Sequence, residues 1–203
     1  MRMNLFGTGL MASAALIGLQ GCMTMDDGMD GASARTSASA RTQGSVTVGG
    51  APMFATRNII ENAVNSRDHT TLVAAVKAAG LVETLSGPGP FTVFAPTNAA
   101  FAQLPAGTVE AALRPENRSM LQSVLTYHVV PGRLTAADLM ARIRAGGGTA
   151  RLTTVQGGTL TARMSGSNIV LMDARGGMAT VTQANVMQSN GVIHVTNAVS
   201  MPR

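Results

Sequence analysis

The sequence contains one cysteine, no tryptophan and one tyrosine among its 203 residues. A single cysteine excludes an intrachain disulfide, so the fold must be stabilised by packing. Aromatic residues make up 3% of the chain, which argues against an aromatic platform that stacks sugar rings or nucleic-acid bases. The cations are mostly arginines spread along the chain rather than clustered, and nucleic acid is therefore not an expected partner.

The usual signatures of an enzyme are also missing. There is no GxSxG nucleophile elbow, no HExxH pair and no cysteine–histidine metal spacing. The histidines His69, His128 and His194 are far apart in sequence, and the carboxylates form no obvious pair for acid–base work. We therefore expect no catalysis, no metal and no cofactor, with a hydrolytic enzyme as the least favoured alternative.

Residues 1–21 have the layout of a secretory signal peptide. Arg2 gives a positive start, residues 5–19 are apolar or small, and Gly21 is a small residue at the expected cleavage point. The apolar run is short of the roughly 20 residues that a membrane-spanning helix needs, and it contains three glycines. We expect this segment to be removed on export.

Cys22 directly follows this segment and resembles the lipobox cysteine of bacterial lipoproteins, which is diacylated and becomes the first residue. The alternative is an ordinary signal peptide with an incidental thiol. Met23, rather than an aspartate, resembles the sorting pattern that sends such proteins to the outer membrane of a two-membrane bacterium. We expect a membrane anchor at Cys22, with the protein facing the periplasm or the cell surface.

The next segment, residues 22–51, is rich in Gly, Ser, Ala, Thr and Asp, and methionine is nearly its only large apolar residue. Such a composition buries too little surface to offset the cost of ordering, so we predict a flexible tether. Residues 52–203 then form one domain. This domain has twelve Lys or Arg and seven Asp or Glu, and it carries the whole net charge of +5.

Periodicity and breaker residues predict helices followed by strands in this domain. Thr135 and Asp138 have the spacing of a capping box at the start of a helix. Predicted helices cover residues 56–64, 69–79, 98–103, 109–113, 115–126 and 136–144. Predicted strands cover residues 91–95, 127–130, 150–155, 159–164, 168–172, 178–187 and 192–200. The pattern indicates an α+β fold.

Three segments match the pattern of one known family. They read FTVFAPTNAAFAQLP at 91–105, LTYHVVPG at 125–132 and NGVIHVTNAVSMP at 190–202. In order and spacing they resemble the fasciclin domain, a module of secreted and surface proteins, over residues 52–202. The resemblance implies a compact wedge in which an antiparallel β-sandwich is flanked by N-terminal helices, and it implies adhesion to proteins, cells or matrix.

The resemblance also places the adhesive function on Tyr127 and His128. We expect this pair to be structural, because polar groups beside an apolar strand are usually satisfied internally, and direct ligand contact is the alternative. His194 would need a hydrogen-bond partner if the sheet is covered on both faces. Asn197 stands where the family often has an acidic residue, and the chain has no Arg-Gly-Asp triplet, so integrin binding has no support.

The sequence thus predicts a non-catalytic adhesion or protein-interaction module held at a bacterial envelope. The expected partner is a protein or polysaccharide of the envelope or extracellular matrix, and the membrane is contacted through Cys22. The fourteen methionines leave a second candidate, an envelope protein that binds a small apolar ligand between helices and sheet. A methionine-lined cavity larger than a packing void would favour that candidate.

Overall fold

The computed structural model describes residues 45–203, so the predicted signal peptide, Cys22 and most of the predicted tether lie outside the described residues. The described part begins with a hairpin of β1 (Val46–Val48) and β2 (Ala51–Met53). Val48 and Met53 are buried in a core that they share with helices. Regular structure therefore begins ahead of Pro52, where the sequence pattern placed the start of the domain.

Helices and strands follow in the predicted order, with one additional helix, at Val82–Ser86, that the sequence pattern does not predict. The helices are α1 (Ile59–Ala63), α2 (Thr70–Ala79), α3 (Val82–Ser86), α4 (Asn98–Ala102), α5 (Thr108–Ala112), α6 (Arg118–Tyr127) and α7 (Ala136–Ala145). The strands are β3 (Phe91–Pro96), β4 (Val129–Pro131), β5 (Thr149–Thr153), β6 (Thr159–Ser165), β7 (Asn168–Met172), β8 (Met178–Gln188) and β9 (Gly191–Thr196). Across residues 45–203, none of the helices is both long and apolar enough to cross a membrane.

Local side chains explain several of these boundaries. Thr135 and Asp138 form the predicted capping box at the start of α7, and the Thr97 hydroxyl caps α4 by accepting a hydrogen bond from the Ala100 N–H. Gly80 ends α2 in the left-handed region, at a φ of 72°. The predicted capping box is thus confirmed.

The strands β3 to β9 form one mixed sheet in the order β4-β3-β9-β8-β7-β6-β5. Neighbouring strands are antiparallel except β3 and β9, which are parallel. The α+β class is confirmed, but the sheet is not wholly antiparallel as the sequence analysis expected. Because β3 and β9 come from opposite ends of the domain, their relative direction depends on everything between them rather than on a local pattern.

The sheet curls until its two edges approach each other. The backbone N–H of Val155, just after β5, donates to the carbonyl oxygen of Val129 in β4 at 2.8 Å. The bend is helped by register shifts in β8, where Asn185 has a φ of 60°. Phe94 of β3 therefore shares one core with side chains of β5, β6 and β7.

The central strands β3 and β9 are buried on both faces because alternate side chains point to opposite sides. Val93 and Ile193 belong to a core that they share with α1, α2, α3 and α6. Phe94 and the His194 ring stacked on it face the other core, which the curled strands and α7 complete. Each of the three matching segments contributes buried side chains to these cores.

Candidate functional site

Tyr127 lies inside the fold and not on its surface. It is the last residue of α6, and its side chain is 0% exposed. Its hydroxyl donates to the carbonyl oxygen of Thr159 at 2.7 Å and accepts from the N–H of Ala174 at 3.1 Å. Burial raises the pKa of the Tyr127 hydroxyl, which keeps it protonated as a donor. The side chain thereby ties α6 to β6 and to the loop after β7.

His128 is buried beside it, at the C-terminal cap of α6. Its Nδ1 lies 2.7 Å from the carbonyl oxygen of Val124, and its Nε2 accepts from the N–H of Ser200 at 2.9 Å. An imidazole that donates from one nitrogen and accepts at the other is neutral, and burial lowers the pKa of His128 accordingly.

The strand predicted for Tyr127 and His128 is wrong. The sequence pattern predicts their side chains on opposite faces of a strand, whereas α6 continues through Tyr127 and β4 begins only at Val129. Strand alternation therefore does not apply, and both side chains point inward. Each of them has backbone partners for its polar atoms.

The other two histidines are also buried. His194 in β9 has its Nε2 2.8 Å from the carbonyl oxygen of Leu134, and its ring stacks on Phe94 with the centroids 5.6 Å apart. Its Nδ1 has no hydrogen-bond partner among residues 45–203. The Nδ1 of His69 lies 2.9 Å from the Ser66 hydroxyl oxygen. Burial lowers the pKa of His69 and of His194.

Asn197 is exposed, yet it also joins two strands. Its side-chain oxygen accepts from the N–H of Thr180 at 2.8 Å, and its own N–H donates to the carbonyl oxygen of Thr180 at 3.1 Å. An acidic side chain would offer the same acceptor. This pairing ends β9 at Thr196, before the residue 200 that the sequence pattern predicts.

The structure does not bring these side chains into one reactive centre. No hydrogen bond joins any two of Tyr127, His128, His194 and Asn197 in the described part of the chain. Nor do residues 45–203 contain a group of three His, Cys, Asp or Glu side chains that could hold a metal ion.

Three further polar residues stabilise the fold through hydrogen bonds, and the sequence pattern does not predict this role for them. The Asn190 side chain accepts from the N–H of Ile59 and donates to the carbonyl oxygens of Leu85 and Gly87. Asn62 is 0% exposed and bonds both backbone groups of Phe54. An asparagine on an otherwise apolar helical face was the available signal for Asn62.

The third such residue is Asp173, a buried carboxylate after β7. One of its oxygens accepts from the N–H groups of Arg175 and Gly177, at 2.9 and 2.7 Å. The other accepts from the N–H of Met201 at 2.8 Å. Asp173 thereby fixes both its own loop and the segment 199–203 that runs alongside it.

One candidate binding surface lies on the outer face of strands β5 to β8. Arg151, Thr161, Met172 and Met178 are successive cross-strand neighbours there. Arg163 lies close by, with its Nη2 3.0 Å from the Met178 sulfur. These four strands contain no Asp, Glu or Lys. We name Arg151, Arg163, Met172 and Met178 together the Met–Arg face.

A second candidate is a groove of about 820 Å³ between α5, α6 and the segment 199–203. Its walls are mainly apolar and include Met120 and Met201, and its charged lining residues are Arg175 and Arg203. Two voids inside the helical core measure only about 30 and 20 Å³, so the groove is larger than a packing void.

The mixed sheet, the helices packed on it and the buried Tyr127–His128 pair define an α+β domain of the fasciclin type. The family model for the fasciclin domain matches residues 67–202, and the chain belongs to this family. The resemblance inferred from the three sequence segments is thus confirmed.

Relatives from distant organisms share the domain. The chain is 46% identical over 161 residues to Protein sll1483 of Synechocystis, covering 79% of this chain and 82% of that protein. It is 37% identical over 145 residues to immunogenic protein MPB70 of Mycobacterium bovis, covering 69% and 66%. A solved FAS1 domain pair from the insect cell adhesion molecule fasciclin I matches with a TM-score of 0.51 and 24% identity, covering 64% of this chain and 43% of that one. This last match shows a shared fold.

Proposed function

We propose that this protein is a non-catalytic adhesion module that binds an acidic partner through the Met–Arg face while a lipid on Cys22 holds it at the cell envelope. The observation that carries the proposal is the composition of that face. Membership of the fasciclin family supports a role of this kind, because a solved member is described as a cell adhesion molecule.

The Met–Arg face has the chemistry of an interface. Met172 is 37% exposed and Met178 is 58% exposed, although burying such side chains is favourable. Methionine and arginine are enriched in protein interfaces, and methionine adapts its shape to a partner. The guanidinium groups of Arg151 and Arg163 can each bind a carboxylate through two hydrogen bonds.

The partner that suits this face is an acidic protein or an anionic polysaccharide of the envelope or matrix. The four strands carry positive charge without any carboxylate, and the domain as a whole is basic. A field of one sign speeds the encounter with a partner of the opposite sign, and added salt weakens it.

Replacing Arg151 and Arg163 by glutamate tests the face. We expect the double variant to bind native envelope material at least about tenfold more weakly than the parent chain, because two charge-assisted contacts become repulsive. Binding is measured by co-sedimentation with envelopes from cells that lack the protein, over a series of salt concentrations.

The matched control is the double variant Arg67→Glu with Arg114→Glu, which makes the same change of charge at two exposed positions away from the face. We expect it to retain most of the binding. Equal losses in the two double variants would mean that only net charge matters, and no loss in either would refute the Met–Arg face as the binding surface.

The lipid anchor requires its own test. In cells supplied with a labelled fatty acid, we expect the parent chain to carry label and to sediment with membranes, whereas Cys22→Ser loses both properties because its hydroxyl does not replace the thiol in acylation. The control Ser37→Ala alters the neighbouring segment and should keep the label. An unlabelled parent chain, or a labelled Cys22→Ser variant, would contradict the anchor.

The groove supports a second candidate function, the binding of a small apolar ligand. Its volume of about 820 Å³ lies within the range of about 300–1,000 Å³ that is usual for small-molecule sites. It lies between helices and the segment 199–203, and not between helices and sheet as the sequence analysis expected for this alternative.

A further inference from the structure

The walls of the groove can accommodate an unbranched hydrocarbon chain. Its apolar lining includes Phe101 and Leu104, Val109 and Leu113 of the α5 region, and Leu121 and Val124 of α6. Fifteen of the 21 lining residues are apolar or glycine, and none is Asp or Glu. An apolar ligand chain in this groove would lose water without leaving polar groups unpaired.

Helix α5 covers the groove without packing tightly on it. None of its residues is buried, although Val109 and Ala112 are apolar. The helix follows Gly107, which has a φ of 81°, and a second space of about 280 Å³ lies against α4 and the start of α5. The apolar side of α5 therefore lacks part of the contact that a helix usually makes, and a bound chain would supply it.

Two arginines mark one end of the groove. The Nε of Arg175 donates to the carbonyl oxygen of Pro202 at 2.8 Å, and the Nε of Arg203 donates to the carbonyl oxygen of Ala174 at 2.9 Å. These reciprocal bonds hold both guanidinium groups in place and leave their terminal nitrogens free of hydrogen bonds to other residues of 45–203. Fixed guanidinium groups with free terminal nitrogens bind anions well.

The side chains at this end suit an anionic head group. Asp173 lies beside the two arginines, with its oxygens occupied by backbone N–H groups. Each of the two guanidinium groups presents paired N–H donors, which fit the two oxygens of a carboxylate.

We infer that the groove binds a long-chain fatty acid, with its hydrocarbon chain between α5 and α6 and its carboxylate against Arg175 and Arg203. The inference deepens the second candidate function and does not involve the Met–Arg face. Loss of envelope binding in the Arg151 and Arg163 variants and loss of fatty-acid binding are therefore separate results.

Photochemical labelling of the full, unmutated chain is the first experiment. The probe is a hexadecanoic acid with a diazirine near the end of its chain, used below its critical micelle concentration, and labelled peptides are identified by mass spectrometry. We expect label within residues 101–124, displaced by unlabelled hexadecanoate. Label confined to residues 1–44 or to the outer strands would overturn the inference.

The second experiment distinguishes the binding of the carboxylate head group from the binding of the hydrocarbon chain of the fatty acid. In the double variant Arg175→Gln with Arg203→Gln, we expect the Kd for hexadecanoate to rise about tenfold, because charge-assisted bonds to the head are lost. The Kd for hexadecanol should stay unchanged. The matched control Arg67→Gln with Arg144→Gln, at two exposed positions outside the groove lining, should bind both like the parent. Equal affinity of the parent for acid and alcohol, or tighter binding of hexadecyl phosphate, would overturn the carboxylate assignment.

A third variant fills the groove itself. Ser123→Trp places an indole among the lining residues, and we expect it to weaken the binding of both acid and alcohol by at least about tenfold. Far-UV circular dichroism verifies that the Ser123→Trp variant is folded. If this variant does not fold, the photochemical labelling of the unmutated chain decides whether the groove binds a fatty acid. Sedimentation equilibrium tests whether a second copy of the chain occupies the groove instead. If the parent forms a dimer that Ser123→Trp dissociates, and the parent binds no fatty acid, the groove is assigned to that second copy.

Discussion

Replacing Tyr127 by alanine lowers the free energy of unfolding by about 3–5 kcal/mol, the range typical of a large aromatic side chain removed from a core. The ring is 0% exposed, and its hydroxyl bridges β6 and the loop after β7. The substitution leaves a cavity and two backbone groups without their partner. Chemical denaturation followed by far-UV circular dichroism measures the loss.

Tyr127→Phe is the matched control, because it keeps the ring and removes only the hydroxyl. We expect it to cost about 1–3 kcal/mol, which is the usual penalty for unsatisfied buried groups. His128→Ala should also destabilise the fold, since the N–H of Ser200 loses its acceptor. The folded fraction of each variant should bind envelope material like the parent. A variant of either residue that is as stable as the parent but does not bind would refute the structural role.

Acidification from pH 7 to pH 5 destabilises the domain through its histidines. Burial lowers the pKa of His69, His128 and His194 in the folded state, while the unfolded chain has pKa values near 6.5. The unfolded state therefore binds more protons below about pH 6.5. The stability contributed by the neutral histidines is complete above that pH and is lost as the pH falls through the folded pKa values.

The free energy of unfolding should fall by at most about 1.4 kcal/mol per pH unit for each histidine. Asp68 raises the pKa of His69 and Asp173 raises the pKa of His128, so these two histidines contribute less to the pH dependence of stability. No charged group raises the pKa of His194 in this way. The chain has only three histidines, and all are buried, so no surface histidine confuses the measurement.

Denaturation at closely spaced pH values between 5 and 7.5 tests this. His194→Gln keeps a polar side chain and should reduce the slope of the free energy of unfolding against pH. Asp138 also has a lowered pKa, owing to hydrogen bonds from Thr135, but it is exposed and titrates below this range. A flat profile in the parent chain would contradict the prediction.

Local signals in the sequence predicted much of the fold. The Thr135 capping box, the Gly80 stop and the strand between Gly89 and Pro96 are each determined by neighbouring residues, and each is present. The burial of His194 and its need for a partner could be predicted from alternation along β9. The parallel pairing of β3 with β9 could not, because it joins segments that are distant in sequence.

The candidate sites were harder to foresee. The sequence predicts a strand from Tyr127, whereas α6 includes Tyr127 and the strand begins two residues later. The Met–Arg face depends on strand register, which aligns Met172 with Met178 across two strands. The groove depends on how α5 lies over α6 and on the bonds of Arg175 and Arg203 to the segment beside them, none of which leaves a periodic trace in sequence.

The position of β9 has a consequence for the life of the chain during synthesis. This strand follows both β3 and β8 in the chain, yet it lies between them in the sheet. Until it emerges, β3 and β8 each expose an unpaired edge, and the sheet cannot close. A nascent chain of this topology cannot complete its sheet until residues 191–196 have been made. A protein truncated before Gly191 would expose two unpaired strand edges, and we expect it to aggregate.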